Sequence, residues 1–124
     1  MRRALLVGIN QYQHISPLSG CNADAIAMGA VLSRHASGSP NFQTKVLTTA
    51  EDNVTHKVLR KRLQELFTGD CDTALFYFAG HGNFDTSIDE GTILAQDAEG
   101  ASDGIRISDI RNWAGKADTI KNKI

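Results

Sequence analysis

The sequence predicts an α/β fold: a mostly parallel sheet with helices on its faces. Three observations lead there. Near-continuous apolar runs recur at residues 4–9 and 74–79, and such runs mark strands buried on both sides rather than strands with one wet face. Segments with apolar residues at spacings of three and four lie between the strand-like runs, so strand, helix, strand, helix and strand follow in turn. That alternation implies right-handed crossovers between parallel strands. The chain has 124 residues, 41 % of them hydrophobic, which is enough for one compact domain over residues 1–124.

The first strand is Ala4-Leu5-Leu6-Val7-Gly8-Ile9, closed by Asn10. A loop of about a dozen residues without periodicity leads to Gly20-Cys21-Asn22-Ala23-Asp24. There Asn22 or Asp24 is placed to cap a helix whose apolar stripe is Ala25, Met28, Gly29 and Leu32. Ser37-Gly38-Ser39-Pro40 stops that helix. A second strand spans residues 44–49, and a turn through Asp52 and Asn53 leads to a helix over residues 55–68. Leu59, Leu63, Leu66 and Phe67 share one face of it, and Gly69 stands at its stop. The third strand runs through Ala74-Leu75-Phe76-Tyr77-Phe78-Ala79 into Gly80-His81-Gly82.

Beyond Gly82 the texture changes. Residues 83–91 are polar, 92–95 form a short strand-like run, and 96–104 are acidic and rich in turn residues. Ser108 then caps a short helix with Ile110, Trp113 and Ala114 inward and Gly115 beyond its end. A doubly wound sheet is expected to continue past residues 119–124 with another buried strand, so the domain reads as incomplete at its C-terminus.

Composition narrows the partners. A net charge of -1 exerts no general pull on nucleic acid or an anionic membrane. Lys57, Arg60, Lys61 and Arg62 cluster on one helix, but with no aromatic or glycine-rich platform they read as a solvated face. Two cysteines, Cys21 and Cys71, are too few for a disulfide framework and fit a reducing compartment. Arg2-Arg3 imitates a signal-peptide start, yet the apolar run ends at Ile9 with no cleavage-like segment after it. No stretch approaches the ~20 apolar residues needed to cross a bilayer. A cytoplasmic protein is expected, with no nucleic-acid or membrane partner.

His81 is the residue on which a function is read. A glycine on each side removes neighbouring side chains, so the backbone turns sharply and a ligand can come close. Strand ends at the carboxyl edge of an open sheet are where such folds bind ligands, and the loop after the first strand shares that edge. Cys21, Asp24 and His81 are therefore expected to be neighbours. The plainer alternative is a core strand capped by a structural histidine.

Three pieces together resemble the caspase-like cysteine peptidases, the metacaspase branch more than the animal caspases. They are Ala4-Leu5-Leu6-Val7-Gly8-Ile9-Asn10, Leu18-Ser19-Gly20-Cys21-Asn22-Ala23-Asp24 and Phe76-Tyr77-Phe78-Ala79-Gly80-His81-Gly82. The resemblance covers essentially the whole chain and implies a three-layer fold whose C-terminal part lies outside this sequence. It implies a cysteine endopeptidase acting on protein or peptide substrates, with His81 as general base and acid of a Cys/His dyad. The backbone N–H of Gly82 would belong to the oxyanion hole. In caspases the nucleophile follows the histidine by about 50 residues, which places it just beyond Ile124, so this chain alone is expected to be inactive.

Neither cysteine present takes that place readily. Cys71 opens the strand that ends near His81, and residues at about 3.3 Å each put it ~30 Å away at the opposite edge. Cys21 is the closer candidate, open to three readings: nucleophile, pocket wall or packed residue. By the resemblance, Cys21, Asp24 and Ala79 line the pocket for the residue before the cut. A carboxylate there favours a substrate Arg or Lys. Ala79 stands where metacaspases commonly have serine, removing one pocket hydrogen bond. Asp24 as a mere helix cap is the competing reading.

The acids Asp85, Asp89, Glu90, Asp97, Glu99 and Asp103 would allow calcium, as in some metacaspases, but their spacing lacks an EF-hand pattern and reads as a solvated acidic loop. No metal or other cofactor is otherwise implied, and His14, His35 and His56 read as solvated. An open sheet edge at the C-terminal side implies self-association. Two rivals stand beside the peptidase: a non-catalytic caspase-like scaffold or peptide-binding module, and a nucleotide-binding doubly wound domain. The second lacks a glycine-rich phosphate loop after the first strand.

Overall fold

The computed structural model describes residues 1–124, apart from the side chain of Ala101. Strand β1 (Arg2–Gly8), helix α1 (Cys21–Ser33), strand β2 (Gln43–Thr48), helix α2 (His56–Leu66) and strand β3 (Cys71–Ala79) follow in the predicted order. After them come β4 (Gly82–Asp85), β5 (Glu90–Ile93), β6 (Ile105–Arg106), α3 (Ile107–Lys116) and β7 (Ile120–Lys123).

The main sheet has four parallel strands in the order β2-β1-β3-β7. The apolar run of β1 is explained by its two buried faces. Leu5 and Val7 pack with Leu59, Leu63 and Phe67 on the side of α2, while Ala4 and Leu6 pack with Ala25, Met28 and Leu32 of α1 on the other. Each fully buried Leu or Val contributes about 1.5 to 3 kcal/mol relative to exposure, so neither face of β1 can turn polar cheaply. Ile110, Trp113 and Ala114 of α3 pack on the α2 side, completing helices on both faces. The α/β class read from the sequence, a mostly parallel sheet with helices on both faces, is the observed one.

Helix ends differ from expectation in two places. The N-cap of α1 is Gly20, left-handed at φ 93°, with no side-chain capping bond. Neither Asn22 nor Asp24 caps it, because the glycine turns the loop directly into the helix and leaves both residues inside the first turn. In α3 the helix runs through Gly115 to Lys116, and the Ser108 N–H donates to the Glu90 carboxylate, so the first turn is satisfied from β5 rather than by the serine hydroxyl. The N-terminus of α2 follows the rule: the Thr55 side chain accepts from the Val58 N–H at 3.3 Å.

Two features were legible only in part. β4, β5 and β6 form a small antiparallel ribbon; the strand-like run at residues 92–95 overlaps β5, whereas β4 lies in the stretch read as polar and β6 follows the stretch read as turn-rich. The last residues themselves form β7, parallel to β3, although the next strand was expected only past them. Pairing extends to Ile124, whose carbonyl accepts from the Phe76 N–H at 2.8 Å. No helix among the described residues is long and apolar enough to cross a membrane.

Candidate active site

In the register of β1 and β3, Gly8 lies beside Ala79, so both strands end at one carboxyl edge. The Ile9 N–H donates to the Ala79 carbonyl at 2.9 Å, holding the two chains together one step further. The first turn of α1 sits directly on Gly8: a Cβ there would collide with the Cys21 carbonyl and lie 2.9 Å from Asn22 Cα. Only a residue without a side chain lets Cys21 approach the edge to which β3 delivers His81.

Asn22 fastens this arrangement. In the amide orientation that satisfies its neighbours, Nδ2 donates to the Gly8 carbonyl (2.8 Å) and to Thr49 Oγ1 (3.2 Å), and Oδ1 accepts from the Ala50 N–H (3.2 Å). Its backbone N–H donates to Asn10 Oδ1 at 3.1 Å. One side chain thus links α1 to the ends of β1 and β2. The sequence signal for it was an asparagine at each of two element junctions, Asn10 read as closing the first strand and Asn22 as a candidate helix cap.

His81 is half-buried and held at three points. Its backbone N–H donates to Tyr12 Oη at 2.8 Å, its carbonyl accepts from the Leu94 N–H at 3.0 Å, and Nε2 lies 2.9 Å from the Ser16 carbonyl oxygen. A carbonyl only accepts, so Nε2 carries a proton, and in the neutral ring Nδ1 then keeps its lone pair. Gly82 is exposed. Antiparallel ladders alternate bonded and non-bonded pairs, and the bonded position is His81 with Leu94. Gly82, opposite Ile93, therefore turns its N–H away from β5.

Of the remaining site residues, Ala79 ends β3 half-buried, and Cys21 opens α1 half-buried. The Cys21 thiol is pushed up, first by burial and then by the Asp24 carboxylate. Asp24 is exposed, three residues along the same helical face. Tyr12 stands between the groups: it bonds to His81, and the charge of a Cys21 thiolate is felt at its hydroxyl. Ala79, His81 and Gly82 follow one another at this edge and Cys21 opens the helix seated on it, with Asp24 exposed one turn further along α1. Cys71 is buried at the opposite edge, where its thiol donates to the Thr73 carbonyl at 3.5 Å.

The acidic segment is occupied by structural bonds. Asp85 accepts from Ser87 Oγ (2.6 Å), Asp97 from the His56 N–H (2.8 Å) and Asp103 from the Glu99 N–H (2.8 Å). His56 is not merely solvated, since its Nδ1 lies 3.0 Å from the Asp103 carbonyl. Among the described residues no group of three or more His, Cys, Asp or Glu side chains is arranged to hold a metal ion.

The carboxyl edge of the parallel sheet thus carries an imidazole bonded to a backbone carbonyl, next to a glycine whose amide turns away from β5. The class that the fold defines is an α/β protein with a mostly parallel sheet and a histidine at the carboxyl edge of its central strands. The caspase domain family matches residues 1–120, and the chain belongs to that family of cysteine peptidases. A crystal structure of a Geobacter sulfurreducens protein superposes with a TM-score of 0.72 at 22 % identity, over 98 % of this chain and 48 % of that one. This chain spans about half the length of that protein, and at such identity the likeness speaks for the fold alone. No curated protein matches the chain.

Proposed function

We propose that the protein carrying this chain is a metacaspase-like cysteine endopeptidase that uses His81 in a Cys/His dyad and cuts after Arg or Lys. The observation that carries this reading is the register of β7. It runs beside β3 at a constant offset of 49 residues, Cys71 beside Ile120 and Ala74 beside Lys123. At that offset the position level with His81 lies about six residues beyond Ile124, in agreement with a nucleophile about 50 residues after the histidine.

The chemistry follows from the free Nδ1. It takes the thiol proton as the thiolate attacks the scissile carbonyl carbon, and the negative oxygen so formed accepts from the Gly82 N–H. The imidazolium then protonates the leaving amine, giving a thioester. Water, deprotonated by the same imidazole, hydrolyses the thioester and returns the thiol. Asp24, with Cys21 and Ala79 beside it, supplies the negative charge that a substrate Arg would meet. Two unpaired cysteines fit work in a reducing, cytoplasmic setting.

Fluorogenic Arg, Lys and Asp peptides test this with the full-length protein, with and without calcium, before and after His81→Ala. Loss of Arg and Lys turnover on that change is expected, and residues 1–124 alone should turn over nothing. Turnover that survives His81→Ala ends the dyad reading. Peptide binding without turnover by the full-length protein would favour the scaffold instead.

A further inference from the structure

The partners of β4 and β5 run from Asp85–Glu90 to Gly82–Ile93, and the next pair in that register is His81 with Leu94. A bonded antiparallel pair exchanges two direct hydrogen bonds. Here only one is direct, from the Leu94 N–H to the His81 carbonyl at 3.0 Å. The returning bond is split: the His81 N–H donates to Tyr12 Oη at 2.8 Å, and the Tyr12 hydroxyl donates onward to the Leu94 carbonyl at 3.0 Å. A side-chain oxygen from the loop after β1 has been inserted as a rung of the ladder, at the residue that carries the imidazole.

Other features serve that insertion. The Tyr12 ring meets the His81 ring edge-on, with centroids 4.8 Å apart and planes at 63°. A Cβ on Gly80 would lie 2.7 Å from the Tyr12 hydroxyl, so the glycine before His81 makes room for the oxygen. The hydroxyl must remain protonated to serve Leu94, and burial pushes its pKa up to about 12.

We propose that Tyr12 is the positioning residue of the dyad: its hydroxyl spaces His81 from β5, and its ring orients the imidazole so that Nε2 meets the Ser16 carbonyl and Nδ1 faces the nucleophile. The proposal rests on the reading of His81 as the base. Without the hydroxyl, the His81 backbone must close on Leu94 or leave both groups unpaired, and either shift draws Nε2 from Ser16.

Tyr12→Phe removes one oxygen and keeps the ring. Nitrogen NMR of histidine-labelled residues 1–124 should show His81 passing from a single Nε2–H tautomer to a mixture. Exchange of the His81 amide should quicken about tenfold, and in the full-length peptidase kcat should fall about tenfold with KM within twofold. Unchanged His81 ring signals and kcat, with only the melting temperature moved, overturn the proposal. If Tyr12→Phe does not fold, Gly80→Ala displaces the same hydroxyl and should disturb the same signals; wild-type signals overturn the idea. In the unaltered protein a slowly exchanging Tyr12 hydroxyl proton must show proximity to the His81 amide, and absence of that contact also overturns it. His81→Ala separates the two readings: turnover surviving that change removes the base assignment, whereas the tautomer measurement judges Tyr12 by itself.

Discussion

The Ser16 carbonyl oxygen lies 2.9 Å from His81 Nε2, joining residues 65 positions apart in sequence. The group that fixes the tautomer is therefore main chain, and the serine side chain is dispensable. Ser16→Ala should leave kcat/KM within about twofold, whereas His81→Ala should remove the roughly 10²- to 10⁴-fold contribution of general acid–base catalysis. Steady-state kinetics on an Arg peptide compares the two. A large loss at Ser16→Ala would show that the hydroxyl, and not the carbonyl, is the working group.

Gly8→Ala should be costly without touching the chemistry. A methyl there meets the Cys21 carbonyl and Asn22 Cα, both backbone, so the start of α1 must move away from β1. Overpacking of this kind costs about 1 to 3 kcal/mol, which for a domain of this size lowers the melting temperature by roughly 5 °C or more. Calorimetry measures it, and an unchanged melt would mean that α1 is not seated on the end of β1.

Elements whose residues meet the core on a regular period could be read from the sequence. The run over residues 4–9 feeds both faces of β1, and Leu59, Leu63 and Leu66 of α2 are all buried. What could not be read depends on few buried side chains. Gly82, Asn83 and Phe84 of β4 are exposed, so its ladder is a backbone event with no apolar signature. In β7 only Ile120 is buried. At the site, His81 announced itself through its glycines, while Tyr12, Asn22 and the Ser16 carbonyl act through hydrogen bonds to residues far away in sequence, which no spacing rule reveals.

The Cys21 thiol offers a pH test of the site's electrostatics. Burial and the Asp24 carboxylate both disfavour its thiolate, so its alkylation should reach half-maximal rate above the ordinary thiol range. Asp24→Asn removes the like charge but not the burial. The midpoint should move down, toward the ordinary value without reaching it, and iodoacetamide labelling at neutral pH should quicken. A midpoint unmoved by Asp24→Asn would place the carboxylate too far away to share a pocket with Cys21.

Among the described residues the outer edge of β7 has no strand partner, since β7 ends the sheet order. Beside it Phe67, Phe76, Ile110, Ala114 and Ile124 line an apolar groove with Arg111 and Lys123. Residues 1–124 should therefore self-associate as concentration rises, with Lys121 and Lys123 weakening but not preventing it. Sedimentation velocity decides: a single monomeric species at high concentration would show the edge to be protected.

Asp24 carries the specificity claim, and the structure separates its two readings. Its carboxylate caps nothing, because Gly20 is the N-cap of α1 and no side-chain capping bond exists there. Asp24→Asn should then alter the melting temperature little, the lost first-turn charge being worth about 0.3 to 1 kcal/mol at most. On substrates the effect should be larger. A charge-assisted hydrogen bond to a substrate guanidinium is worth about 1.5 to 3 kcal/mol, so kcat/KM for Arg peptides in the full-length protein should fall roughly ten- to a hundred-fold. Lys peptides should lose less, because an ammonium cannot grip a carboxylate bidentately. If Asp24→Asn leaves the preference for Arg intact, the negative charge opposite the substrate comes from another residue and the basic-substrate pocket must be sought elsewhere on this edge.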